Sequence, residues 1–168
     1  RMLPSCLCGL FAGQEIARDM KLDILVIVSH PDDAELSCGA TIAKYASSGK
    51  KVGVVDLTRG EMSTRGTPVQ RERESESAAK ILGLAVRENL GLRDAFFQNS
   101  WEEQQAVIQA IRKYRPEIVL TNALKDRHPD HGRAAQLVKE ASFMAGLKRI
   151  KTHVEDTEQE AFRPRGVF

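Results

Sequence analysis

The chain predicts an α/β fold on a mostly parallel sheet, because strand-like and helix-like segments alternate from residue 23 to residue 145. Two runs, Asp23-Ile24-Leu25-Val26-Ile27-Val28-Ser29 and Glu117-Ile118-Val119-Leu120-Thr121, are apolar and β-prone without polar alternation. Strands with both faces covered read that way, and parallel sheets cover both faces. The segments between such runs are long enough for a helical crossover, and glycine or proline marks their ends.

In chain order, a strand over 23–29 leads to a helix over 34–48, which Gly49 stops after Ser47-Ser48. A strand over 51–57 and a loop over 58–67 precede a helix over 69–83, where Gly83 follows Ala78-Ala79-Lys80-Ile81-Leu82. A strand over 86–91 is followed by Asp94 and Phe96-Phe97, then by a helix over 101–114. Pro116 separates that helix from the strand over 117–121, and a helix over 131–145 follows. The stretch from Thr152 to Glu160 reads as a charged tail, with His153 on the surface. Right-handed crossovers in a doubly wound order place the first and fourth strands side by side, where the winding reverses.

Composition sets the outer bounds. With 168 residues, 42% of them hydrophobic, the chain can bury one core of ordinary domain size. Lysine plus arginine number 25 against 23 acidic residues, a balance that argues against a nucleic-acid or acidic-membrane partner. No apolar run approaches the roughly 20 residues that span a bilayer. Three cysteines, Cys6, Cys8 and Cys38, make an odd count; Cys38 reads as a small buried thiol in a helix, and the set points to a reducing, cytoplasmic setting. Residues 1–19 are expected to lie outside the core, with Met20 the natural start. Their apolar stretch is short, is broken by Pro4 and Gly9, and lacks a small-residue cleavage site.

Two strings carry the chemistry. His30-Pro31-Asp32-Asp33 follows the first strand and His128-Pro129-Asp130-His131 follows the fourth, so together they hold three of the four histidines. Taken singly, each also fits a turn followed by a helix cap, with Asp33 or Asp130 as the capping carboxylate. Capping does not explain three histidines at two strand ends that share one crevice. Imidazoles and a carboxylate there suit a divalent ion with positions left open for water and substrate. A nucleotide-binding module would want G-x-G-x-x-G after the first strand, where this chain has the histidine string.

The loop Thr58-Arg59-Gly60-Glu61-Met62-Ser63-Thr64-Arg65-Gly66-Thr67 leaves the second strand at the same edge of the sheet. Arg59, Arg65 and Arg71 are candidates for binding anionic substrate groups through their forked donors, against the plain alternative of solvated loop arginines. Asp94 is a candidate wall for a polar ligand. Phe96 and Phe97 read as packing residues.

His30-Pro31-Asp32-Asp33-Ala34-Glu35 with the later His128-Pro129-Asp130-His131 resembles the LmbE/PIG-L family of zinc-dependent N-acetylglucosaminyl deacetylases. Asp56-Leu57-Thr58-Arg59-Gly60-Glu61, Arg87-Glu88-Asn89-Leu90 and Arg93-Asp94-Ala95-Phe96-Phe97 are similar to the bacterial branch that deacetylates N-acetylglucosaminyl malate during bacillithiol synthesis. The resemblance implies a Rossmann-like three-layer α/β/α sandwich. It implies Zn2+ held by His30, Asp33 and His131, and the mixed nitrogen and oxygen donors also admit Fe2+. By the same resemblance Asp32 is the general base, His128 assists the oxyanion or leaving amine, and Asp130 orients His128. The implied partner is a small-molecule sugar, and the implied assembly is a homo-oligomer, a trimer or hexamer. Chains of the family start near Met20 and continue well beyond Phe168, so residues 20–168 are expected to form a deacetylase domain that lacks its carboxyl-terminal part. The expected reaction is hydrolysis of the N-acetyl group of an N-acetylglucosamine conjugate, with N-acetylglucosaminyl malate preferred, giving free amine and acetate; the rivals are a metal-binding but inactive fragment of such an enzyme and a deacetylase for another N-acetylated sugar.

Overall fold

The structure, a computed structural model, describes residues 20–168. The expected extension over 1–19, with Cys6 and Cys8, lies outside the described residues. Four βα units run in sequence: β1 (Ile24–Val28), α1 (Asp33–Ser47), β2 (Val52–Thr58), α2 (Pro68–Leu82), β3 (Val86–Leu92), α3 (Trp101–Tyr114), β4 (Ile118–Thr121) and α4 (Pro129–Ala145). Each falls within a few residues of its predicted range. A two-stranded hairpin of β5 (His153–Val154) and β6 (Thr157–Glu158) and a last strand, β7 (Gly166–Val167), complete the order.

The main sheet runs β3-β2-β1-β4-β7 with every pairing parallel. β1 therefore lies between β2 and β4, in register Ile24 to Val52 on one side and Ile24 to Ile118 on the other. This adjacency is the one the sequence predicted.

Every residue of β1 and β2 is buried, as the unbroken apolar runs require. The pleat sends alternate side chains to opposite faces. Leu25, Ile27, Val55 and Leu57 pack with Val107, Ile108 and Ile111 of α3 and with Leu137 and Val138 of α4. Ile24, Val26, Val28, Val52 and Val54 form a second core with Ala34 and Ile42 of α1. Helix pairs on the two faces make three layers. Among the described residues no helix is long and apolar enough to cross a membrane.

Local chemistry fixes the ends of these helices. Thr67 caps α2 by accepting from Gln70 N at 3.2 Å, with Pro68 at the first helical position. Gly83 closes α2 in the left-handed region, φ 68°. α1 kinks at Cys38, φ −141°, and the thiol is only half-buried, less covered than expected.

The charged stretch after Thr152 is not a bare tail. It forms the β5-β6 hairpin, and the chain then adds β7 beside β4, with Ile118 opposite Gly166. Strands of two residues have no period to read in the sequence. This return is anchored by Arg112, which is 4% exposed. Its guanidinium donates to Ala145 O at 3.0 Å, Leu147 O at 3.0 Å, Ile150 O at 2.8 Å and Thr152 Oγ1 at 2.8 Å.

Candidate metal centre

β1 and β4 end at the same edge of the sheet and deliver both histidine strings to one cavity of about 450 Å³. His30, Asp32, Asp33, His128, Asp130 and His131 line it, as do Arg71 and Asp94. The imidazole centroids of His30 and His128 are 4.9 Å apart, those of His128 and His131 4.8 Å, and those of His30 and His131 5.7 Å.

Asp33 sits between His30 and His131. Its Oδ2 lies 3.4 Å from His30 Nδ1 and its Oδ1 lies 3.2 Å from His131 Nε2. Oδ2 also accepts from His30 N at 3.0 Å and from Asn122 Nδ2 at 3.1 Å. Asn122 in turn accepts from Ser29 N at 2.9 Å, so one side chain joins the ends of β1 and β4. Asn122 was missed in the sequence, where a lone asparagine after a strand reads as a turn residue.

Asp32 occupies the N-cap of α1 at φ 151°, ψ −20°, without making a side-chain cap bond. It is 53% exposed at the side chain, and Arg71 Nη2 lies 3.3 Å from its Oδ2. The same Nη2 donates to Pro31 O at 2.8 Å. Gly60 makes room for this guanidinium: its φ is +63°, and a Cβ there would come 2.9 Å from Arg71 Nε. Burial, helped by the neighbouring Asp33 charge, raises the Asp32 carboxyl above the usual carboxylate range, while Arg71 pulls the other way.

His128 is the N-cap of α4, and its Nδ1 accepts from Asp130 N at 3.3 Å. The orienting group is thus the main chain of Asp130, whereas the Asp130 carboxylate turns inward. Asp130 is 2% exposed, and its carboxylate accepts from Ala95 N at 3.1 Å and Arg133 Nη1 at 2.7 Å and lies 3.4 Å from His30 Nε2. Asp94, 4% exposed, lines the cavity with both oxygens engaged, by His30 Nε2 at 3.0 Å and Met62 N at 2.9 Å.

Of the three loop and helix arginines, only Arg71 reaches the cavity. Arg59 is exposed and borders a separate cavity of about 260 Å³, and Arg65 is exposed with its backbone N bonded to Ser63 Oγ. Exposed long side chains on a polar loop gain more from water than from the crevice. Phe97 is buried in the core, whereas Phe96 is exposed under the Arg93 guanidinium.

Sequence reading also missed a brace below the site. Arg87 of β3 donates from Nε and Nη2 to the Asp56 carboxylate of β2, at 2.8 and 3.1 Å, and from Nη1 to Glu35 of α1. The fork ties the first turn of α1, which carries Asp33, to two strands.

The donor set fits a divalent cation. Among the described residues, His and carboxylate atoms gather within 4.8 Å as His30, His128 and His131, and as His30, Asp94 and Asp130. The Asp94 and Asp130 oxygens and His128 Nδ1 already hold protein donors, while Asp33 Oδ1 and His131 Nε2 face only each other. With the N–H of His131 turned to Asp126 on its other side, Nε2 meets Asp33 as a lone pair, and two acceptors in contact call for a positive charge between them. His30 shows the same demand: burial works against its protonated form, yet Asp33 and Asp94 raise its pKa to about 9.

The model of the family described as PIG-L, GlcNAc-PI de-N-acetylase, matches residues 25–142. The chain is 34% identical over 147 residues to the diacetylchitobiose deacetylase of Thermococcus kodakarensis, covering 82% of this chain and 55% of that protein. It is 30% identical over 176 residues to the 1D-myo-inositol 2-acetamido-2-deoxy-α-D-glucopyranoside deacetylase of Actinosynnema mirum, covering 82% and 62%. Among solved structures it is similar to the conserved protein TT1542 of Thermus thermophilus, at 42% identity and TM-score 0.79, covering 87% of this chain and 64% of that one. The chain thus spans between 55% and 64% of the length of these relatives. With both histidine strings inside the matched segment and the parallel α/β sheet around them, the chain belongs to the PIG-L family.

Proposed function

We propose that the protein hydrolyses the N-acetyl group of an N-acetylglucosamine conjugate in a metal-dependent reaction. The observation that carries this reading is the meeting of His30, Asp33 and His131 with Asp32 and His128 around one open cavity. His30, Asp33 and His131 would hold the ion, zinc or iron given mixed nitrogen and oxygen donors. Such an ion supplies Lewis-acid chemistry, making water more acidic and polarising a carbonyl.

The side chains divide the remaining work. Asp32 is uncapped, half open to the cavity and held by Arg71, so its free oxygen can take a proton from the attacking water. The raised pKa makes it a better proton acceptor than an ordinary aspartate. His128 accepts at Nδ1, which leaves the proton of the neutral ring on Nε2, where it can donate to a developing oxyanion. The departing amine must be protonated, and Asp32 holds the proton taken from water.

Relatives named for diacetylchitobiose and for an inositol conjugate support N-acetylglucosamine as the shared unit. Our preferred conjugate is N-acetylglucosaminyl malate. A groove of about 810 Å³ adjoins the cavity, shares Asp33, Leu36 and His131 with it, and has Lys139 on its wall. That gives room and a cation for a carboxylated aglycone.

The test measures acetate release by the zinc- or iron-loaded protein from N-acetylglucosaminyl malate, diacetylchitobiose and free N-acetylglucosamine. We expect turnover of conjugates that a chelator abolishes, with malate preferred over the free sugar. Metal-loaded protein that releases acetate from none of the three overturns the reading; equal specificity for all three overturns the malate assignment alone.

A further inference from the structure

Of the two histidines assigned to the ion, His131 is held between two carboxylates and His30 between Asp33 on one side and Asp94, with Asp130 behind it at 3.4 Å, on the other. His131 turns Nε2 toward Asp33 Oδ1 at 3.2 Å and Nδ1 toward Asp126 Oδ2 at 3.0 Å. His30 turns Nδ1 toward Asp33 Oδ2 at 3.4 Å and Nε2 toward Asp94 Oδ1 at 3.0 Å. Asp33 is common to both rings, and the outer carboxylates come from different segments: Asp94 lines the cavity and Asp126 the adjoining groove. Asp126 precedes α4, and Asp94 follows β3.

Neither outer carboxylate depends on the imidazole for its place. Asp126 Oδ1 accepts from His128 N at 3.0 Å, which pins it to the turn that starts α4. Asp94 Oδ2 accepts from Met62 N at 2.9 Å, and Asp94 N donates to Glu61 Oε1 at 2.8 Å. The second carboxylate is therefore fixed to the loop over the cavity by a reciprocal pair of bonds.

An imidazole that ligates a cation gives up the proton on the ligating nitrogen and keeps its other N–H, and an ionised carboxylate can only accept. With the outer carboxylates fixed in place, the proton of each ring belongs on the outer nitrogen. The inner nitrogens, His131 Nε2 and His30 Nδ1, then carry the lone pairs.

From this arrangement we infer that Asp126 and Asp94 are positioning residues that set the tautomers of His131 and His30. They aim Nε2 of the first and Nδ1 of the second at the divalent cation. This rests on the ligand assignment proposed above. Carboxylate partners of this kind also make the ligating ring more basic, and losing one weakens metal binding by roughly 10- to 100-fold. Their loss is read in affinity for the ion before any turnover is measured.

Asp126 gives the cleaner experiment, because it is exposed, whereas Asp94 is buried and also seats the loop. Zinc affinity is measured on the full chain by competition with a chromophoric chelator, for wild type, Asp126→Ala, Asp126→Asn, Asp94→Asn and His131→Ala, with metal-free melting temperatures alongside. Asp126→Ala should bind zinc roughly 10- to 100-fold more weakly while melting close to wild type. Asp126→Asn keeps an amide oxygen for the Nδ1 proton but no charge, and should fall between. Wild-type affinity in both Asp126→Ala and Asp94→Asn, with zinc lost in His131→Ala, overturns the inference and leaves the ligand assignment standing. Wild-type affinity in His131→Ala overturns the ligand assignment itself.

Discussion

Asp32 stands in a backbone conformation that an L-residue adopts only under constraint, φ 151°, ψ −20°. Such positions cost on the order of 1–3 kcal/mol and persist where the surroundings over-determine them. Here Asp32 N and Asp33 N both donate to His30 O, at 3.0 and 3.2 Å, and Arg71 grips Pro31 O from outside. The strain turns the Asp32 side chain away from helix capping and into the cavity, beside but apart from Asp33, the residue we assign to the ion. Asp32→Asn preserves this shape and removes proton acceptance. It should keep wild-type metal content by elemental analysis and lose on the order of 100- to 10,000-fold in deacetylation rate. Wild-type turnover with normal metal would assign the base elsewhere. At this scale the sequence was legible where residue type names the chemistry: His30, His128 and His131 stand out because a turn and a capping aspartate leave three histidines unexplained. Asp94 was harder, since its contact with His30 spans 64 positions and no spacing rule connects them. Arg71 could not be told from Arg59 and Arg65 by type, because only the fold decides which guanidinium meets Pro31 and Asp32.

At the scale of elements, four βα units were readable because each carries a periodic or continuous apolar signal and a stop. β5, β6 and β7 were not, because pairs of two residues are held by backbone bonds that any sequence can make. The contact between α3 and β3 was also invisible, and it has a measurable signature. Tyr114, at the end of α3, is 3% exposed, and its hydroxyl donates to Glu88 of β3, which Lys113 also holds at 2.9 Å. Burial first, then the adjacent carboxylate, pushes the phenol up to about 12, against an ordinary value near 10. Because the folded pKa lies above the unfolded one, this contact contributes stability that is fully present below about pH 10. That contribution is lost as pH rises toward and through about 12. The chain has two tyrosines. In a Tyr45→Phe background the remaining phenolate should therefore appear near pH 12 by absorbance, and Glu88→Gln should bring it earlier. An ordinary titration in the folded protein would show that the pair is not formed.

For the molecule as a whole, the return of the chain after α4 hangs on one buried cation that forms no ion pair among the described residues. Arg112 satisfies the carbonyls at the end of α4 and in the turn beyond it, where the helix dipole is negative. Its burial lowers the guanidinium pKa without discharging it. Arg112→Met keeps the apolar stem and strips the donors from four acceptors, and should lower unfolding free energy by about 3 kcal/mol or more in a denaturant titration. A loss below about 1 kcal/mol would mean that water replaces the guanidinium at little cost.

The pairing of β1 with β4 has a consequence for how the protein comes together. Asp33 and His131 are 98 positions apart in the sequence, and nothing local brings them within reach. Closing a loop of that length is an entropic loss that must be met before the contact rewards it. A nascent chain holding only the first three βα units has His30 and Asp33 but neither His131 nor the register of Ile24 against Ile118. Tight capture of a divalent ion is therefore an event of completed folding, and an ion that binds only the finished sheet shifts the equilibrium toward it by mass action. The metal would act as a latch on the pairing of β1 with β4, and the rate at which it is taken up during refolding would time the docking of β4.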